Sequence, residues 1–257
     1  MNEIEPSGAG RRGIRAGGSA AFGRAGLRGL VLVLLVAAAA GAPAGARAAD
    51  EAKSSTAPKT WHATVFFSNG ASYRIIHYWS DGAKMRAETL ISGHPVATII
   101  RGDRYIALDR LTGKALDIER APAAILADQG RPRPFGIELD ELKKAGGERI
   151  EDTTMSGVPV EVWRLTDDTS RRTVWVSKKP PHVPIRAETF VRGSSQTLTF
   201  DYSNWSFDLE MPAAFFAPPS ETLVDRFGYA EFGEKSAKAP IEGPPILYPD
   251  LLHGGQP

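Results

Sequence analysis

The sequence predicts a mostly β protein built on one long antiparallel sheet, and three observations carry that expectation. Beyond residue 60 most of the chain falls into runs of alternating apolar and polar residues, a period of two that suits strands. Turn signals built on Gly, Asn and Asp separate those runs at a spacing of about ten residues. Only two short stretches, one opening at Pro122 and one over residues 137–147, have helical character. A sheet of nine to eleven such strands should curl on itself rather than stay flat.

The first 49 residues stand apart. They hold six arginines (Arg11, Arg12, Arg15, Arg24, Arg28, Arg47), two acids (Glu3, Glu5) and the apolar run "LVLVLLVAAAA" from Leu30 to Ala40. That run is shorter than the roughly 20 residues a bilayer span needs. Pro43 and the small residues of "AGARAAD" follow, with Ala46 and Ala48 forming an A-x-A site, so cleavage is expected near Ala48 or Ala49. This reads as a signal for export, with an uncleaved N-terminal anchor as the alternative. Taking six basic and two acidic residues from the chain's 31 and 30 leaves a mature net charge of −3. A basic nucleic-acid footprint is therefore missing. With no cysteine there is no disulfide framework, thiolate metal site or lipid-modified cysteine.

Residues 50–60, "DEAKSSTAPKT", are a polar leader broken by Pro58. Alternation then begins, with Trp61, Ala63, Val65 and Phe67 on one face of "WHATVFFS". Asn69-Gly70 signals a hairpin, "YRIIHYW" (73–79) returns, and Asp81-Gly82 turns the chain into "AKMRAETL" (83–90). Residues 95–119 continue the meander through turns at Gly102-Asp103 and Thr112-Gly113. A short helix or turn opens at Pro122. A helix follows over 137–147, with Leu139 and Leu142 on one stripe and Gly146-Gly147 as its stop. Five further strand-like runs cover 148–155, 158–167, 171–179, 184–193 and 196–205. The domain is expected over 61–230, and the Pro/Gly-rich residues 231–257, including "GPPILYPDLLHGG", read as a disordered tail or a partner motif.

Several strands are apolar on both faces. Phe66 opposes Phe67, Ile75 neighbours Ile76, Tyr78 neighbours Trp79, and Trp163 and Trp175 sit opposite runs of Val. Such strands need cover on both sides, whereas a sheet with one wet face alternates cleanly. One cover comes from the curl and helices. The other is either a filled core or the wall of an interior pocket.

Catalytic constellations are missing from the sequence. His62, His77, His94, His182 and His253 stand at no metal-ligand spacing, and there is no G-x-S-x-G elbow or G-x-x-x-x-G-K phosphate loop. Asp167-Asp168 in "LTDDTSR" suit a turn better than acid–base work. No enzyme, metal or cofactor is expected.

The order of meander, short helices and second meander, closing in "VWVSKKPPHVPIRAETF" and "YSNWSFDLEMPAAFFAPPSETLV", resembles the lipoprotein-localisation (LolA/LolB-like) superfamily over residues 61 to about 225. That resemblance implies an unclosed half-barrel, its mouth covered by a few short helices, with a hydrophobic cavity for acyl chains. It also implies that Phe215 and Phe216 plug the barrel edge while Pro218-Pro219 end the last strand; a packing latch is the plainer alternative. The amphipathic helix that begins mature carriers has no counterpart in "DEAKSSTAPKT".

A second stretch, "YRIIHYWSDGAKMRAETLISGHPVATIIRGD", is similar to the first domain of RseB/MucB-type periplasmic regulators through Arg74, His77, Asp81-Gly82, Arg86, Glu88, Leu90, Gly93-His94-Pro95 and Arg101-Gly102. The expectation is thus a soluble periplasmic module holding a lipid or lipoprotein acyl chain, with a regulator that binds a membrane protein as the alternative. The candidate cavity residues are Val65, Phe67, Ile75, Met85, Ile100, Trp163, Trp175, Phe190, Leu198 and Phe200.

Overall fold

The computed structural model describes residues 59–130 and 132–254. The export signal expected over 1–49 and the leader as far as residue 58 lie outside the described residues. Six strands come first: β1 (Thr60–Ser68), β2 (Tyr73–Asp81), β3 (Lys84–Ile91), β4 (His94–Arg101), β5 (Arg104–Asp109) and β6 (Lys114–Glu119). Helices α1 (Pro122–Asp128) and α2 (Glu138–Lys144) interrupt, and β7 (Glu148–Met155), β8 (Val158–Thr166), β9 (Ser170–Ser177), β10 (Pro184–Val191) and β11 (Gln196–Phe207) resume. A 3-10 turn (Ala213–Phe216), β12 (Leu223–Phe227), α3 (Tyr229–Lys238) and α4 (Pro249–His253) complete the described chain.

All twelve strands belong to one sheet, ordered β12-β6-β5-β4-β3-β2-β1-β11-β10-β9-β8-β7, with β12 and β7 as its two edges. The half-barrel is therefore unclosed. The two meanders meet at β1, where Val65 faces Ile76 of β2 on one side and Tyr202 of β11 on the other. The twelfth strand was not expected, because only the five residues "LVDRF" mark it; it pairs with β6 and runs parallel to it.

The sheet curls, and rings show how far. On a flat sheet β5 and β11 would lie about 24 Å apart, five inter-strand spacings. Yet Tyr105 of β5 accepts a hydrogen bond from the Tyr248 backbone N–H at 3.3 Å, the Tyr248 ring lies 5.9 Å from Phe135, and Phe135 lies 6.1 Å from Phe200 of β11. Two rings span the concave side. The inner face carries Ala63, Val65, Tyr78, Met85, Ile100, Tyr105 and Ile118, all fully buried in one cluster. α2 packs on the same face further along, placing Leu142 against Val174, Val176 and Ala187. Acids in its first turn and lysines in its last complement the helix dipole.

The outer face of β4–β6 is also apolar. Ala97, Ile99, Ile106, Leu108 and Ala115 form a second cluster capped by Phe216, with Met211, Phe215 and Val224 beside it. Arg86 holds this cap, donating to the Phe215 carbonyl at 2.6 Å while its guanidinium lies 4.8 Å from the Phe215 ring. The expected edge plug is thus corrected. Phe215 and Phe216 cover the outer face, since the strands beneath them present small and branched residues there. Pro218-Pro219 do not end the sheet; they lead into β12.

The disorder expected over 231–257 is corrected for the described residues, which reach 254. α3 buries Phe232, α4 buries Leu252, and Ile241, Ile246, Tyr248 and Leu251 pack on the inner cluster. A handful of well-placed apolar residues orders a segment whose composition reads as loose. Phe216→Ala is expected to lower unfolding stability by about 3–5 kcal/mol in a denaturant titration, because it empties the middle of the outer cap; a loss below about 1 kcal/mol would contradict that role.

Candidate functional site

Five of the ten residues expected at the cavity converge. Val65, Met85 and Ile100 lie at 0% exposure within the inner cluster, and Phe67 and Phe200 pack at its margin with ring centroids 5.0 Å apart. Leu198, two residues from Phe200, is half-buried. Trp163 belongs with α2, where Lys143 Nζ lies 4.3 Å from its ring and its Nε1–H donates to Glu161 at 3.1 Å.

The other three face away. Ile75 is 45% exposed, because its neighbour Ile76 is the residue that points inward; both are isoleucine, so alternation could not choose between them. Trp175 and Phe190 line a shallow outer opening with Arg164 and Arg171. Residues missed by the sequence reading complete the inner wall: Tyr78, Phe135, Tyr202, Trp205 and Phe207. Tyr78 and Tyr202 follow from the register opposite Ala63 and Val65. Trp205 does not, because a bulge between His62 and Thr64 of β1 shifts the pairing and Asn204 takes a positive φ of 52°.

At one end of the concave face, beside α2, an opening of about 460 Å³ is walled by Trp61, Leu139, Val176, Pro184, Trp205 and Phe207. Trp61 stands 4.8 Å from Tyr78 and 5.1 Å from Trp205, and Trp205 stacks on Tyr202 and Phe207 at 5.5 and 5.9 Å. The wall is a continuous aromatic surface. Gly136 lies against it at φ +80°, and a Cβ there would come within 2.9 Å of the Trp61 ring, so only glycine fits. Arg133, Lys143, Asp140, Glu161 and His182 ring the mouth. A second groove, about 430 Å³, lies on the outer face and is lined by Tyr73, Ile75, Leu90 and Pro95 among others. Among the described residues no group of three or more His, Asp or Glu is placed to hold a metal.

One buried acid joins α2 to the wall. Glu138 Oε1 accepts from the Tyr202 hydroxyl and from the Gly136 N–H, while its buried Oε2 has no partner among the described residues. Burial pushes the Glu138 carboxyl up to about 7 against the pull of the Tyr202 hydroxyl. Burial and the adjacent Glu138 in turn hold the Tyr202 hydroxyl well above its ordinary value.

Solved structures similar to this chain share little of its sequence. An uncharacterized conserved protein from Thermus thermophilus has a TM-score of 0.47 at 11% identity, over 66% of this chain and 91% of that one. A chain of the Pseudomonas aeruginosa MucA/MucB complex has a TM-score of 0.40 at 15% identity, over 65% of this chain but only 58% of its own length. A putative outer membrane lipoprotein-sorting protein domain from Vibrio parahaemolyticus has a TM-score of 0.30 at 14% identity, over 61% of this chain and 88% of that one. No family model and no curated protein matches the chain.

Glu138 sets a pH test. An unfolded glutamate titrates near ~4.3, whereas folded Glu138 keeps its proton up to about 7. Its contribution to stability is complete below pH ~4, declines between the two values, and is gone above the folded one. Glu138→Gln, which cannot ionise, is expected to match the parent at pH 4 and to exceed it by up to about 3 kcal/mol at pH 8. Equal stability of the two proteins at both pH values would contradict the buried acid.

Proposed function

We propose that this chain is an exported, non-catalytic binding module of the periplasm, whose concave face holds an apolar ligand: the acyl chain of a lipid or lipoprotein. The observation that carries the reading is the aromatic wall of Trp61, Tyr78, Tyr202, Trp205 and Phe207 beside an opening of about 460 Å³. The opening is mixed, an aromatic wall on one side and Arg133, Asp140, Lys143, Glu161 and His182 on the other, so an apolar chain would lie on the rings with a polar head among the charges. Each methylene buried there would contribute about 0.8 kcal/mol, so a long chain needs few polar contacts. Arg133 and Lys143 stand at the mouth, where a cationic side chain can meet a polar head. Export rests on the Arg-rich, apolar, A-x-A run of residues 1–49. Among the described residues no helix is long and apolar enough to cross a membrane.

A second reading, a regulatory module that binds a membrane protein, draws support from the outer groove. Tyr73 and Leu90 there are 63% and 65% exposed, and no described element covers them. Native mass spectrometry of the protein exported by a bacterial host and purified without detergent separates the two. A co-purifying mass released on denaturation as phospholipid or fatty acid is expected, with Trp205→Ala weakening uptake of added palmitate about tenfold, or 1.4 kcal/mol. A bare protein mass that takes up no added lipid, together with recovery of one membrane protein in a pull-down, would overturn the first reading in favour of the second.

A further inference from the structure

The inner face is already occupied, by the chain itself. Residues 240–254 run across the cluster that contains Val65, Met85 and Ile100, and lay Ile246, Tyr248, Leu251 and Leu252 on it. Leu252 is fully buried, and Gly243 presses so close that a Cβ there would stand 2.9 Å from Leu116.

The manner of attachment is unusual for a core element. Residues 240–247 make no backbone–backbone hydrogen bond among the described residues, and Pro240, Pro244 and Pro245 remove three donors outright. The fixing points are the Lys114–Glu242 pair at 2.5 Å, the Tyr105 hydroxyl with the backbone at Leu247 and Tyr248, the Tyr229 hydroxyl on His253 Nδ1 at 3.1 Å, and a knot at α4. In that knot the Ala121 N–H donates to the Leu252 carbonyl at 2.9 Å and Arg120 Nε to the Leu251 carbonyl at 2.6 Å. Every strand of the sheet, by contrast, is held in a ladder of paired residues. A segment bound by side chains rather than by a ladder can leave without unmaking the sheet, which is the structural meaning of a low-stability unit.

We propose that residues 240–254 are a built-in occupant of the ligand groove, an autoinhibitory strap that an apolar chain displaces when it binds. The strap imitates the ligand by presenting a row of apolar side chains, Ile246 and Tyr248 from a strand-free stretch and Leu251 and Leu252 from α4. It covers the part of the apolar face around Val65, Met85 and Ile100 and leaves the opening at Trp61 and Trp205 uncovered, and the free energy of its docking is subtracted from that of any ligand that enters beneath it. This inference rests on reading the concave face as the ligand site.

The test uses the full exported chain with palmitate as probe, comparing the parent with Leu252→Asp and, should that variant not unfold cooperatively, with Tyr248→Ala. Palmitate is expected to raise amide hydrogen exchange at the bonded N–H groups of the strap, Tyr248, Leu251 and Gly254, and at Ala121 beneath it, while leaving the strands protected. The strap variant is expected to bind palmitate at least tenfold more tightly than the parent. Equal affinity of parent and variant, with exchange in 240–254 unchanged by palmitate, would overturn the strap and leave lipid binding at another place. Binding by neither protein would remove the lipid reading alone. A synthetic peptide of residues 240–254 then decides: saturable binding to the variant and not to the parent upholds the strap, and binding to neither overturns it.

Discussion

A sheet that is apolar on both faces must be covered twice, and most of this structure answers that requirement. β5 is the clearest case: Tyr105 and Ala107 point into the curl, Ile106 and Leu108 point out, and all four are buried. Water can reach neither side. The inner cover is assembled from Phe135, α2 and the C-terminal segment, and the outer cover from Met211, Phe215 and Phe216. Both are drawn from connections and from the chain's last third. The meanders supply walls, and the connecting and C-terminal segments supply lids.

The walls were legible because strand alternation and turn chemistry are local. The Asn69-Gly70 signal is realised as a loop in which Asn69 Oδ1 accepts from the Ser72 N–H at 2.7 Å, and the helix expected over 137–147 forms over Glu138–Lys144. The lids were not legible, because covering a face is a long-range event. Nothing near Tyr248 announces that it will meet Tyr105 and Phe135, and five residues of β12 carry too little pattern to declare a parallel pairing with β6. At the site the same division holds. Val65, Met85 and Ile100 came from alternation and lie on the inner face, packed within the inner cluster; Ile75 points outward, where two isoleucines stand side by side. Trp205 escaped because a bulge resets the period.

The two covers differ in kind. The outer one is clamped by Arg86 through a hydrogen bond and a ring contact to Phe215, and Phe216 fills the cluster beneath it. The inner one is a composite of short pieces: a loop around Phe135, a two-turn helix tied to Tyr202 by Glu138, and a proline-bearing segment that ends in α4. The face lined with the most rings is therefore the one whose cover is made of the smallest parts.

The account stands or falls on where an apolar chain sits. The most direct measurement is methyl NMR of the full exported protein with a spin-labelled stearate, reading which side chains are broadened. The account predicts broadening at the methyls of Val65, Met85 and Ile100 on the inner face, with Ile106 and Leu108 beneath the outer cover spared. Broadening confined to Ile75 and Leu90 on the outer groove, or none at all, would contradict it.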